Sequence, residues 1–172
     1  RGSNSSARSM LINISRFVLV QKYIKEWVDK EYDLFVNCVR YDFSENEKEN
    51  KQLPLYKELH ALWEKHFVDI KDVTFERVVK KSNLMSAVEK IKVIVVNSSK
   101  SSNKLDYKEN PHLRVIAIGG LALSRGLTLE GLLVSYFYRN TSTFDVLMQM
   151  GRWFGYRIGY EDLFQIWTSQ TS

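Results

Sequence analysis

Apolar positions along this chain fall into two successive patterns. The first is mostly helical in period. Met10 to Ser15 is a short apolar run that reads as a strand. Beyond Arg16, the residues Val18, Tyr23, Trp27 and Val28 stand near helical spacing and predict a helix to about Lys30. Asp33 to Tyr41, with Val36 and Val39, fits either a strand or a helical turn. Ser44 to Gln52 is rich in Glu, Asn and Lys, which predicts a solvated loop. Pro54 is suited to opening a helix that carries Leu55, Leu59, Leu62, Trp63 and Phe67. Thr74 to Lys81 and Ser82 to Glu89 predict two more helical segments.

After Glu89 the pattern shifts to strands. Lys92 to Asn97 is a continuous β-branched run of the kind expected for a strand buried on both faces. A serine-rich loop follows from Ser98 to Asn103. His112 to Ile118 and Leu132 to Tyr138 are two further apolar runs, Phe144 to Phe154 reads as a helix, and Leu163 to Thr168 as a last strand. Strands alternating with helices predict an α/β fold: a mainly parallel sheet with helices on both faces. The helical block at about 53–90 then reads as an insertion between core strands. No internal repeat is visible.

Size and composition narrow the class. The 172 residues suffice for one domain with a substantial core, expected over 10–172, with 1–9 as a linker or an expression remnant. Hydrophobic residues make up 44% and charged residues 26%, ordinary values for a soluble globular chain. No apolar run approaches the roughly 20 residues needed to cross a bilayer, and a lone Cys38 cannot form an internal disulfide, so a cytoplasmic setting is expected. The net charge of +5 suits either a polyanionic partner such as nucleic acid or a balanced surface with a few extra lysines.

Candidate chemistry gathers between Val115 and Arg157. In open parallel sheets ligands bind beyond the carboxyl ends of strands, and Gly119-Gly120 follows directly on Val115-Ile116-Ala117-Ile118. Glycines let a backbone approach an anion closely and aim N–H groups at it. Ser124 can donate a hydroxyl, and Arg125, before Gly126, can offer a bidentate fork to phosphate. Farther on, Asp145, Gln149 and Arg152 share one helix face. Gly155 is placed to end that helix and leave Arg157 on a turn, where a guanidinium can neutralise charge developing on a transferred γ-phosphate. A surface ion pair of Asp145 with Arg152 is the plainer reading of the same stripe.

These blocks resemble motifs five and six of superfamily-two helicases and translocases, which lie in a second RecA-like lobe. Ser124-Arg125-Gly126 is similar to motif five. Gln149, Gly151-Arg152 and Gly155 to Arg157 are similar to the Gln-x-x-Gly-Arg-x-Gly-Arg of motif six. The spacing departs from that form: one residue rather than two separates Gln149 from Gly151, two rather than one separate Arg152 from Gly155, and Tyr156 is extra before Arg157. Met10 to Arg16 stands where motif four would open the lobe.

A closer resemblance is to the Z1 domain, a family grouped with bacterial endonucleases and linked to superfamily-two helicase modules and restriction-like defence systems. It rests on Ala117 to Gly120, Leu123 to Gly131, Val134 to Phe137 and Gln149 to Leu163, and it runs from Arg8 to Thr168. The resemblance implies an ATP-dependent DNA translocase or helicase, with RNA as a possible substrate as well. Gly119, Gly120, Arg125, Gly126, Glu130 and Gln149 would face nucleotide, Arg152 and Arg157 would be catalytic, and Ser15, Arg16 and Ser124 would lie toward a nucleic-acid strand. Glu130 would hold a ribose hydroxyl or orient Arg125, with a plain surface role as the alternative.

The chain has no Gly-x-x-x-x-Gly-Lys-Ser/Thr string and no acidic pair after an apolar strand. ATP and Mg²⁺ would therefore need an N-terminal ATPase lobe of the same polypeptide, and this chain alone is not expected to hydrolyse ATP. Clustered carboxylates for a metal-dependent nuclease are lacking, and His60, His66 and His112 are scattered, so no metal site is expected. The alternative function is a non-enzymatic module of the same fold that binds nucleic acid or protein.

Overall fold

The computed structural model describes residues 7–15, 17–96, 105–120, 129–138 and 163–168. They divide into two compact units, Arg1–Val28 with Ile91–Ser172 and Asp29–Lys90. The first unit is built on a sheet of β1 (Arg8–Asn13), β2 (Ile91–Val96), β3 (Arg114–Gly119), β4 (Leu132–Phe137) and β5 (Gln165–Thr168). Its strand order is β2-β3-β1-β4-β5 and every pairing is parallel. The architecture is therefore α/β with an all-parallel sheet, consistent with the expected RecA-like class.

Alternation along each strand sorts side chains to two faces. One face carries Leu11, Val96, Val115, Ala117, Phe137 and, because the β1–β4 register shifts between Ser9 and Met10, also Leu132; they pack with Leu105, Leu113 and Leu129 into a buried core. The other face holds Ile12 and Ile118, both buried, while Met10, Ile116, Val134 and Tyr136 on it are half-buried. The sheet is thus covered on both sides at its centre. β2 departs from expectation: only Val96 is buried, because the strand lies at the sheet's edge rather than its middle. A run of β-branched residues reports strand propensity but not strand position.

Gly131, in the turn just before β4, has φ of 66°, a left-handed conformation that costs an L-residue with a Cβ roughly 1–2 kcal/mol. Gly131→Ala is accordingly expected to destabilise the sheet unit by about 1 kcal/mol or more. A thermal melt that does not shift would show that the backbone relaxes there at no cost.

The second unit is helical. α1 (Val18–Tyr41) runs unbroken through the stretch that sequence left open between strand and helical turn, and the unit boundary falls inside it. α2 (Glu47–Asn50), α3 (Pro54–His66), α4 (Phe75–Val79) and α5 (Lys81–Val88) complete it. Its core joins Val39, Phe43, Tyr56, Phe75, Val79 and Leu84, with the Tyr56 and Phe75 rings edge to face at 5.3 Å. Pro54 stands in the first turn of α3, and the Thr74 hydroxyl accepts from Arg77 N–H to cap α4.

The segment Ser44 to Gln52 is mostly exposed, as expected, but it is folded locally around α2. Asn50 is buried; its Oδ1 accepts from Ser44 N–H (2.7 Å) and its Nδ2 donates to the Ser44 carbonyl (2.9 Å). Asn46 caps α2, and the Tyr56 hydroxyl donates to Glu47 Oε1 (2.6 Å). Burial, together with the Glu47 carboxylate, pushes the Tyr56 hydroxyl's pKa upward, so it stays a donor. A charge run looks solvated by composition, but one asparagine that satisfies its own loop's backbone suffices to fold it.

Candidate functional site

Because all five strands run the same way, their carboxyl ends form one edge. Asn13 closes β1 and lies in register with Gly119 of β3 and Phe137 of β4, while Val96 of β2 is also level with Gly119. Ile14 N–H donates to the Gly119 carbonyl (3.3 Å), and Tyr138 N–H donates to the Asn13 carbonyl (3.1 Å). Gly119 and Gly120 are buried, and neither has positive φ. Their contribution is the missing side chain, which leaves bare backbone where a central strand meets the edge.

Ser15 sits at the same edge, two residues past the end of β1. Its hydroxyl accepts from Phe17 N–H (3.1 Å), and its carbonyl accepts from the side-chain Nε2 of Gln21 (2.6 Å). With its acceptor role used locally, the Ser15 hydroxyl proton remains available to an incoming oxygen. Gln21 is 2% exposed, and its Oε1 has no hydrogen-bond partner. Asn13 and Gln21 are the residues that sequence reasoning missed. The last residue of a parallel strand and the first inward position of the following helix would have pointed to them.

Glu130 is not at this edge. Its carbonyl accepts from Ser9 Oγ (2.8 Å), and Ser9 N–H donates to the neighbouring Gly131 carbonyl (2.8 Å), at the amino end of β1 and β4. At about 3.3 Å per residue, β4 separates it from Phe137 by roughly 20 Å. A role for Glu130 beside Gly119 and Gly120, or on a nucleotide they would hold, therefore does not fit the sheet. The amino end also brings Arg8 into register with Arg114, both half-buried. Burial, and then the Arg8 guanidinium, lower the pKa of Arg114, although a guanidinium stays charged throughout the physiological range.

Arg16, Ser124, Arg125, Gly126, Gln149, Arg152 and Arg157 lie outside the described residues. Of the expected site, the structure brings together Ser15, Gly119 and Gly120. The described part of the carboxyl edge is uncharged: Asn13, Ile14, Ser15, Gly119, Gly120 and an exposed Tyr138. Every cation expected there belongs to segments outside the described residues. Among the described residues no group of three His, Cys, Asp or Glu side chains is placed to hold a metal ion, and no helix is long and apolar enough to cross a membrane.

The family model of the Z1 domain matches residues 1–172, the whole chain. The chain belongs to the Z1 domain family. Comparison of this Z1 domain with curated proteins and with solved structures returned no match. Within the Z1 match, the Leu-Ser-Arg-Gly-Leu-Thr-Leu-Glu-Gly string spans Leu123 to Gly131, of which Leu129, Glu130 and Gly131 are described and stand just ahead of β4.

Proposed function

We propose that this Z1 domain is the second motor lobe of an ATP-dependent DNA translocase or helicase of a bacterial, cytoplasmic, restriction-like system. ATP and Mg²⁺ would be held mainly by an N-terminal ATPase lobe of the same polypeptide, and closure of the two lobes would complete the site. Carrying this reading is the in-register ending of β1 and β3 at Asn13 and Gly119. It sets Ser15 and the bare Gly119-Gly120 backbone side by side at the ligand edge of a parallel sheet. The Ser124-Arg125-Gly126 string follows four residues after Gly120, close in sequence to that edge. In this reading Ser15, Arg16 and Ser124 contact a nucleic-acid backbone. Gly119, Gly120, Arg125, Gly126 and Gln149 face nucleotide, and Arg152 and Arg157 act on the γ-phosphate. Glu130, at the far end of β4, has no part in it.

Titration of this chain with single- and double-stranded DNA at several salt concentrations tests the nucleic-acid half. Neutralising about three phosphates should lower duplex affinity roughly 40-fold between 50 and 200 mM salt. Absence of binding, or binding indifferent to salt, would favour a protein-interaction module of the same fold. Mg²⁺-dependent cleavage by this chain without ATP would instead make it a nuclease, and none is expected.

A further inference from the structure

We propose that the outward face of α1 joins two copies of this chain, the helices antiparallel about a twofold axis beside Tyr23. The first turns of α1 are reversed in polarity. Gln21 is its most buried side chain there, whereas Tyr23 is 62% and Trp27 61% exposed, with Leu19 and Val20 exposed beside them. At 100° per residue these four apolar positions fall within about 100° of arc, as wide as the stripe an amphipathic helix normally turns inward. Here that stripe points out.

Charge and area select the occupant. Lys22 and Glu26, both exposed, lie along one flank of the stripe and carry opposite signs. A polyanion would be met by an excess of cations, which this flank lacks. In an antiparallel pair each flank meets its own copy, so Lys22 comes beside the partner's Glu26 and Glu26 beside the partner's Lys22. Leu19 then meets the partner's Trp27, and Tyr23 stacks across the axis, the reciprocal contacts a twofold interface requires. The four side chains expose at most roughly 500 Å² on one copy, hence no more than about 1,000 Å² between two, at or below the threshold for a specific interface, so the pairing is a weak one. The proposal does not depend on ATP or DNA, so it can stand or fall apart from the motor reading.

Sedimentation equilibrium of the 172-residue chain is expected to show a monomer–dimer equilibrium with a micromolar dissociation constant. Trp27→Ala should weaken it at least about tenfold. Lys22→Glu should weaken it roughly three- to tenfold by setting two glutamates together, and adding Glu26→Lys should restore the starting value. All three substitutions are on exposed positions, so circular dichroism should be unchanged. A monomer at about 200 μM, a dimer indifferent to Trp27→Ala, or a double reversal that fails to restore pairing would each overturn the proposal.

Discussion

In a polypeptide joining this Z1 domain to a phosphate-loop lobe, Arg157→Ala is expected to abolish ATP turnover while leaving nucleotide binding largely intact. A guanidinium that meets charge developing on a transferred phosphoryl group acts in the transition state far more than in the bound ground state. Supplied in trans by a second lobe, such an arginine contributes on the order of 10³- to 10⁵-fold in turnover. Arg152→Ala should behave alike, and it tests the position whose local sequence matches the helicase motif more directly. The measurement is phosphate release beside binding of a fluorescent nucleotide. Unchanged turnover would remove the residue from the mechanism, and lost binding would make it a ground-state contact instead.

Leu11→Ala is expected to bring the largest loss of stability, about 3 kcal/mol. Leu11 is 0% exposed in the middle of β1, the central strand, with Ala117 and Ser135 as its register partners on either side. Neither neighbour is large, so collapse around the lost atoms is poor and a cavity term adds to the transfer term. Leu62 in α3, 44% exposed, is the contrasting position; Leu62→Ala should cost no more than about 0.5 kcal/mol. Chemical denaturation of the two variants in parallel makes the comparison. Similar midpoints would mean that the core face of the sheet is not where its stability resides.

Much of this architecture is visible in the chain itself. The apolar runs around Ile94, Ile116 and Val134 mark strands because β-branched and aromatic side chains fill a pleated surface. Their alternation with helices demands a parallel sheet, since a crossover long enough to hold a helix returns a strand in the same direction. A parallel sheet in turn makes the ends of β1 and β3 a shared edge, where Gly119 and Gly120 are expected from their place after a strand and Ser15 from the resemblance alone. Sheet direction likewise separates Glu130 from Gly119 and Gly120. A residue just ahead of a parallel strand, as Glu130 and Gly131 are ahead of β4, belongs to the opposite edge, however close it stands in sequence to a glycine-rich loop.

Other features depend on contacts between distant segments. That β1 lies between β3 and β4, and that β2 is an edge strand despite its apolar run, follows from which strands pair, and periodicity carries no pairing information. The fold of Ser44 to Gln52 depends on Asn50 being enclosed near a core containing Phe43 and Tyr56, where its amide must satisfy Ser44. For α1, helical spacing located an apolar stripe at Tyr23 and Trp27 but not the side it would turn to the core. Spacing says that apolar side chains share one face of a helix. Whether that face is covered is decided only when other elements pack against it. On this chain the packed side took Gln21 and left the aromatics outside.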